Sequence, residues 1–191
     1  FRSRPFEIAA GGPISFCNPT YPLRSTAVSF DSRQFRKALG TFATGVTVVT
    51  GLTPGGVPGG VPVGVTVNSF APVSLDPPMI LICLDNNTGC LKAFCEGERF
   101  AVNILSENQR DLSEEFAGPQ EHKFKDRAFE TWDSGCPILP GCLANLECTR
   151  LNVLEGGDHL IVLGRVDRIE HAGGGRPLLF YQSAYGRIGD A

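Results

Sequence analysis

Residues 61–69 separate apolar from polar side chains at alternate positions. Valine occupies the odd positions up to residue 67, the even positions hold Pro62, Gly64, Thr66 and Asn68, and Ser69 follows. Because strand side chains alternate between faces, one face is apolar and the other small and polar. A glycine within a strand often marks a close approach to the backbone, and the neighbouring hydroxyl and amide groups form hydrogen bonds. The pattern predicts a flat ligand with a polar edge.

Polar residues after this strand extend the candidate site. Ser74 adds a hydroxyl, and Asn86, Asn87 and Thr88 precede a predicted helix whose first N–H groups suit a phosphate. Each residue also has a structural explanation, since Ser74 is an ordinary turn former and Thr88 an ordinary helix cap. Their grouping on adjacent strands and a helix start favours a ligand.

His159 is the one imidazole in a patterned setting, directly after Gly157 and Asp158. Ile161, on the same predicted strand face, is apolar, so a half-buried histidine bonded to a backbone carbonyl explains it. The alternative is a histidine at the mouth of a barrel that contacts a second substrate. Position alone favours the structural explanation.

Motifs for catalysis by side chains are absent from the sequence. It contains no paired-carboxylate motif, no HExxH and no GxSxG. The phosphate-binding patterns GxGxxG and GxxxxGK[ST] are also missing. A cofactor with its own reactivity fits the polar residues present better than acid–base catalysis by side chains does. A flavin is such a cofactor, with a flat ring, a polar rim and a phosphate. We therefore expect no catalytic side chain.

The cysteines favour reduced thiols in a cytoplasmic protein. There are seven, with no CxxC pair, so a disulfide framework is not expected: Cys17, Cys83, Cys90, Cys95, Cys136, Cys142 and Cys148. A zinc site of three cysteines and His159 is the alternative, but it lacks a short-spaced ligand pair. We expect no metal site.

Length and charge indicate one globular domain without nucleic-acid or membrane partners. The 191 residues suit one full core, predicted at 28–191, preceded by an extension at 1–27. The net charge of −3, without a basic cluster, gives no reason to expect nucleic acid. The longest apolar run, 79–84, is far below the roughly 20 residues of a membrane-spanning helix.

A capping pattern predicts the first helix, over residues 32–39. Asp31 and Gln34 have the spacing of a capping box, and Phe30 and Phe35 that of a hydrophobic staple. The helix therefore begins with two mutually supporting signals.

Hydrophobic patterning predicts a mainly β framework for the remaining residues. Six strands are expected at 40–50, 61–67, 74–84 and 100–105 and on both sides of a turn at 155–157, with a last strand or half-helix at 177–188. Further helices are expected from Thr88 to Gly97 and from Ser106 to Phe116, and a long surface loop at 117–141. Neighbouring hairpins with few helices predict a closed antiparallel barrel.

The ordered set of segments resembles the short-chain flavin reductase family. The similar segments, within about residues 29–188, are GTFATGVTVVT, GVTVNSFAPVSLDPPMILICL, FAVNIL, GGDHLIVLGRV and PLLFYQSAYGRI. The resemblance implies a Greek-key antiparallel split β-barrel, a homodimer that binds FMN or FAD. It also implies oxidation of NADH or NADPH, with reduced flavin supplied to a partner flavin-dependent monooxygenase.

The resemblance also implies which residues form the site. The flavin-binding residues are Thr66, Asn68, Ser69 and Ser74, then Cys83, Leu84 and Asp85 through their backbone, with Asn87 and Thr88 near the phosphate. The nicotinamide-binding residues are Gly157, Asp158, His159 and Tyr185. Two other readings stay open: an electron-transfer flavoprotein that retains its cofactor, and a split barrel that binds haem or a small ligand without redox chemistry.

Overall fold

The computed structural model describes residues 29–54, 59–119 and 123–189. The predicted extension at 1–27 lies outside the described residues. The helices are α1 (Ser32–Leu39), α2 (Leu91–Cys95) and α3 (Arg110–Ala117). The strands are β1 (Thr44–Gly45), β2 (Thr47–Leu52), β3 (Pro62–Val67), β4 (Ala71–Leu75), β5 (Pro78–Asp85), β6 (Arg99–Ile104), β7 (Glu130–Thr131), β8 (Pro137–Ile138), β9 (Ala144–Glu155), β10 (His159–His171), β11 (Leu179–Tyr181) and β12 (Ala184–Gly186).

A seven-stranded antiparallel sheet forms the body of the fold, in the order β3-β2-β6-β9-β10-β5-β4. Strands β3 and β4 are its two edges and do not pair with each other among the described residues, which leaves the barrel split. A small sheet of β1, β11 and β12 lies beside it. The prediction of a mainly β, antiparallel split barrel with few helices is confirmed. The closed barrel expected from the hairpins alone is wrong, because β3 and β4 do not pair among the described residues.

Apolar side chains fill both faces of the central strands. On one face, the barrel core includes Val49, Ile82, Phe94, Phe100 and Val162. On the other face, an outer cluster includes Val46, Val48, Leu105, Phe116 and Leu139. Adjacent residues of β2 serve opposite clusters, so this strand is buried on both faces. Each fully buried side chain of this size contributes about 1.5–3 kcal/mol.

The first helix follows its sequence signals. The Asp31 carboxylate accepts a hydrogen bond from the Gln34 N–H at 2.7 Å, and the Gln34 side chain accepts one from the Asp31 N–H at 2.9 Å. The Phe30 and Phe35 rings lie 5.6 Å apart. The predicted capping box, hydrophobic staple and helix bounds are confirmed.

Other predicted elements differ from the structure. Thr88 does not cap α2, because its N–H closes a turn with the Asp85 carbonyl and the helix begins only at Leu91. Helix α3 begins at Arg110, after the predicted Ser106. The predicted loop at 117–141 contains the short hairpin of β7 and β8. The predicted last strand is the hairpin of β11 and β12.

Gly64 in β3 does not leave space for a ligand. A Cβ atom built on Gly64 lies 2.5 Å from Cε1 of Phe116, so the Phe116 ring from α3 fills this space. On the same face, the Thr66 hydroxyl donates to the Ser113 carbonyl of α3 at 2.7 Å. The prediction that a flat ligand lies beside Gly64 is therefore wrong, because the glycine accommodates the helix.

We expect Gly64→Ala to destabilise the protein by about 1–3 kcal/mol, because the added methyl group overpacks against a buried ring. Urea unfolding measures the change. Gly45→Ala is the matched control, since a Cβ atom at Gly45 meets nothing within 4 Å. If Gly64→Ala is as stable as Gly45→Ala, the packing described for β3 and α3 is incorrect.

Candidate functional site

A shallow cleft of about 180 Å³ lies where the barrel is split. It brings together eight of the predicted site residues, Thr66, Asn68, Ser69, Cys83, Leu84, Asp85, Thr88 and His159. Val65 and Val67 also line it, although the alternation of β3 had placed its valines on the apolar face only. The described cleft thus combines polar side chains with an apolar floor.

Strand register explains how distant segments meet here. The first residue of β10, His159, lies opposite Asp85 at the end of β5, and Ile161 lies opposite Cys83. Strand β3 lies on the other side of the cleft. As an edge strand, it pairs with β2 alone, so some of its backbone groups face no neighbouring strand, although the Gly64 carbonyl is occupied by Lys123.

The Ser69 hydroxyl joins the two sides of the split. It accepts a hydrogen bond from the Cys83 N–H at 3.0 Å and donates one to the Cys83 carbonyl at 2.7 Å. Strand β4 pairs with β5 only as far as Leu81, opposite Ala71, so these backbone groups of Cys83 have no partner in β4. Both backbone groups of Cys83 are thus bonded to Ser69 within the protein, and the contact of a flavin with the Cys83 backbone stays a prediction.

Two polar side chains in the cleft are available for a ligand. The Asn68 amide and the Thr88 hydroxyl form no hydrogen bond with any residue in the described part of the chain. Asn68 is also exposed. An amide donates and accepts, and a hydroxyl does the same, so both suit the polar rim of a flat ring or a phosphate.

Asn87 lies outside the cleft lining and orders the turn after β5. Its backbone N–H and its side-chain amide both donate to Oδ1 of Asp85, at 2.7 and 3.0 Å. The neighbouring Asn86 amide donates to the Gly157 carbonyl at 3.2 Å. The turn that holds Thr88 is thus fastened to the turn that holds His159.

A carboxylate fixes the orientation of His159. Nδ1 of His159 lies 2.7 Å from Oδ1 of Asp158, and this hydrogen bond lowers the pKa of the Asp158 carboxyl. An ionised carboxylate only accepts, so Nδ1 carries the proton. In the neutral form of the ring, Nε2 is then the acceptor. Gly157 forms the preceding turn with a φ of 81°, which favours glycine.

Ser74 and Tyr185 lie away from this cleft, unlike their predicted positions. The Ser74 hydroxyl accepts from the Asp76 N–H at 3.2 Å, and Ser74 pairs with Met79. Met79 lies four residues from Cys83 along β5, which is about 13 Å in a strand. The Tyr185 hydroxyl instead bonds the Ser113 hydroxyl at 2.9 Å, on the far side of β3.

A buried lysine behind β3 has no clear signal in the sequence. Nζ of Lys123 donates to the Gly64 carbonyl at 3.1 Å and to the Phe116 carbonyl at 2.7 Å. Burial lowers the pKa of this amine. Lys123 therefore fastens β3 to α3, within a segment predicted to be a surface loop.

The described cysteines are free thiols rather than ligands or nucleophiles. Burial raises the pKa of Cys83 in the cleft, raises those of Cys90 and Cys142 to about 11, and raises that of Cys148 to about 12. Thiols of this kind stay protonated near neutral pH. Within the described ranges, no three His, Cys, Asp or Glu residues group as metal ligands. In the same residues, no helix is long and apolar enough to cross a membrane.

Comparison with known proteins places the chain in a family. The flavin reductase like domain matches residues 39–189, inside the predicted domain at 28–191. The chain belongs to the flavin reductase like domain family. Its predicted resemblance to flavin reductases is confirmed by this match.

Three relatives illustrate this flavin reductase family. The chain is 46% identical over 158 residues to FMN reductase (NADH) SmoA of Agrobacterium fabrum, covering 83% of this chain and 87% of that protein. It is 39% identical over 161 residues to the flavin-dependent monooxygenase reductase subunit HsaB of Mycobacterium tuberculosis, covering 83% of each. The structure of Streptomyces globisporus NADH:FAD oxidoreductase SgcE6 with NAD and FAD fragments has a TM-score of 0.74 and 36% identity, covering 83% of this chain and 93% of that one. The chain spans only 46% of a probable flavin reductase of Rhizobium meliloti.

Proposed function

We propose that this chain is an NAD(P)H-dependent flavin reductase, which transfers a hydride from NADH or NADPH to FMN or FAD. The observation that carries the proposal is the cleft itself. It joins the edge of β3 and a free Asn68 amide to His159, and burial raises the pKa of Cys83, the thiol in its lining, so that thiol is not a reactive nucleophile. Such a site suits a ligand that brings its own redox chemistry.

The residues of the cleft fit a flavin. Backbone groups at the edge of β3 and the Asn68 amide match the polar rim of the ring, and the Thr88 hydroxyl suits a phosphate oxygen. A volume of about 180 Å³ is below the roughly 300–1,000 Å³ of sites that enclose a ligand. The cleft of the described chain would therefore hold a flavin without enclosing it, which would leave room for a nicotinamide.

The side chains bind and orient the reactants. A bound flavin accepts the hydride and supplies the redox chemistry. Asn68 holds the polar rim, and the Ser69 bridge keeps the two walls of the cleft together. Asp158 holds the Nδ1 proton of His159, which leaves Nε2 to accept a hydrogen bond from the carboxamide of the nicotinamide. Positioning of this kind accounts for rate acceleration without a catalytic acid or base.

A partner flavin-dependent monooxygenase is the proposed recipient of the reduced flavin. HsaB, a relative of this chain, is the reductase subunit of such a monooxygenase. An open site with few polar contacts favours release of the flavin after reduction.

A cytoplasmic homodimer is the proposed state of the protein. Leu75 is 95% exposed and Ile169 is 64% exposed, and large apolar side chains of this kind often mark protein interfaces. The free thiols of the described cysteines support a reducing compartment.

Stopped-flow mixing tests the activity. We expect the purified protein to oxidise NADH or NADPH in the presence of added FMN or FAD, with many turnovers per protein molecule. Reduced flavin should be recovered outside the protein after filtration under anaerobic conditions. A protein that retains a yellow cofactor and does not reduce added flavin contradicts the proposal and supports an electron-transfer flavoprotein.

Two variants separate the flavin side of the cleft from the nicotinamide side. We expect His159→Ala to raise the KM for the nicotinamide substrate about tenfold, with little change in flavin Kd, because one hydrogen bond to that substrate is lost. Asn68→Leu should raise the flavin Kd about tenfold, with a smaller effect on the nicotinamide KM. Fluorescence titration and steady-state kinetics measure both constants. If His159→Ala raises the nicotinamide KM and the flavin Kd equally, the histidine has a structural role. If Asn68→Leu leaves the flavin Kd unchanged, Asn68 does not belong to the site.

A further inference from the structure

A second, larger cavity of about 710 Å³ lies beside helix α1. Arg33, Arg36 and Lys37 of α1 line one side, and Gln182 and Ser183 line the other. The described residues that line it carry three positive charges and no carboxylate. We call this cavity the basic groove.

The basic groove continues toward the flavin cleft. A neighbouring cavity of about 430 Å³ shares Arg36, Gln182 and Ser183 with the basic groove and is also lined by Asn68. Asn68 in turn lines the flavin cleft. The three cavities are therefore neighbours, and Asn68 borders both the cleft of His159 and the cavity next to the basic groove.

Helix stability does not account for all three cations. Arg36 and Lys37 lie in the last turn of α1, where the helix dipole favours positive charge. Arg33 lies in the first turn, where the dipole disfavours it, and this turn contains no acidic residue. No ion pair to any of the three exists within the described residues. Among residues 29–54, 59–119 and 123–189, no carboxylate therefore pairs with the charges of this groove.

Two further features occur among the residues that line the basic groove and its neighbouring cavity. The Thr44 hydroxyl, which belongs to the connecting cavity, is buried without a hydrogen-bond partner among the described residues. Gln182 and Ser183 have φ values of 48° and 63°, a conformation that residues other than glycine rarely adopt. The Gln182 N–H donates to the Gly40 carbonyl at 2.8 Å, which holds this turn against the end of α1.

We propose that the basic groove binds the phosphates of an adenosine diphosphate moiety. This inference rests on the proposed function, in which FAD, NADH and NADPH all carry such a moiety. Guanidinium and ammonium groups are the usual partners of phosphate oxygens. The flavin or nicotinamide end of the same molecule would occupy the cleft, and the cavity lined by Asn68 and Arg36 would hold the atoms that link the two ends.

The concave shape favours a small ligand over an acidic protein surface. A volume of about 710 Å³ lies within the roughly 300–1,000 Å³ of small-molecule sites. An acidic surface of a partner protein would meet the same cations, and titration with ADP distinguishes such a partner from a small ligand.

Titration of the full chain with ADP tests the groove directly. Arg33→Gln should weaken ADP binding about tenfold, because a charge-assisted contact is lost. The same change removes a cation from the first turn of α1, so the helix should be no less stable. Arg36→Gln is the second variant. Lys125→Gln, which removes an exposed charge outside the groove, is the matched control and should bind ADP like the wild type.

Paired ligands identify the source of the phosphates. If the groove binds the adenylate of the flavin, Arg33→Gln weakens FAD binding about tenfold and leaves FMN binding unchanged. If it binds the adenylate of the nicotinamide substrate, the KM for NADH rises and that for reduced nicotinamide mononucleotide does not. Either result supports the proposal. Higher salt should reduce the effect of Arg33→Gln on FAD binding or on the KM for NADH, since exposed charges are screened.

Three results would overturn the proposal. The first is unchanged ADP affinity in both groove variants, including the case in which they weaken binding of an acidic partner protein. The second is an equal loss for FMN and FAD. The third is no ADP binding by the wild type together with equal affinities for FMN and FAD. None of the binding titrations requires turnover, so the groove is tested even if the protein reduces no flavin.

Discussion

The double hydrogen bond between the Ser69 hydroxyl and the backbone of Cys83 is the interaction on which the site depends. Strands β3 and β4 are the edges of the sheet and do not pair, and β4 separates from β5 after Leu81. Beyond that point, one hydroxyl satisfies both free backbone groups of Cys83. Because a partly buried N–H without a partner is costly, this bridge holds β3 opposite β5 and so gives the cleft its two walls.

The contacts of β3 with α3 and Lys123 determine which polar groups of the strand remain for a ligand. Phe116 fills the space beside Gly64, Thr66 bonds to α3, and Lys123 fastens both elements from behind. Most polar groups of this strand are therefore used within the protein. A ligand meets mainly the strand edge, Asn68 and the turns after β5 and before β10, which suits a reactant that binds, reacts and leaves.

Sequence patterns correctly predicted the structural elements that are determined by residues close together in the chain. The capping box of Asp31 and Gln34 gave α1 its bounds, and alternation with turn residues predicted the hairpins. The cleft residues were also predicted as a group. Sequence could not reveal that Phe116 fills the gap at Gly64 or that Ser69 bonds to Cys83, because these contacts join segments far apart in the chain. Thr88 was wrongly predicted to cap α2, and Ser74 was wrongly placed at the cleft, because short polar residues serve turns, caps and ligands equally well.

The flavin affinity of Ser69 variants tests whether the bond between Ser69 and Cys83 holds the two walls of the cleft together. Ser69→Ala removes the bridge, and Ser69→Thr keeps a hydroxyl at the same position. Fluorescence titration with FMN should give about a tenfold weaker Kd for Ser69→Ala, and a Kd near that of the wild type for Ser69→Thr, since the cleft walls separate only when the hydroxyl is lost. If Ser69→Ala binds FMN as tightly as the wild type, the bond between Ser69 and Cys83 does not hold the walls of the cleft together.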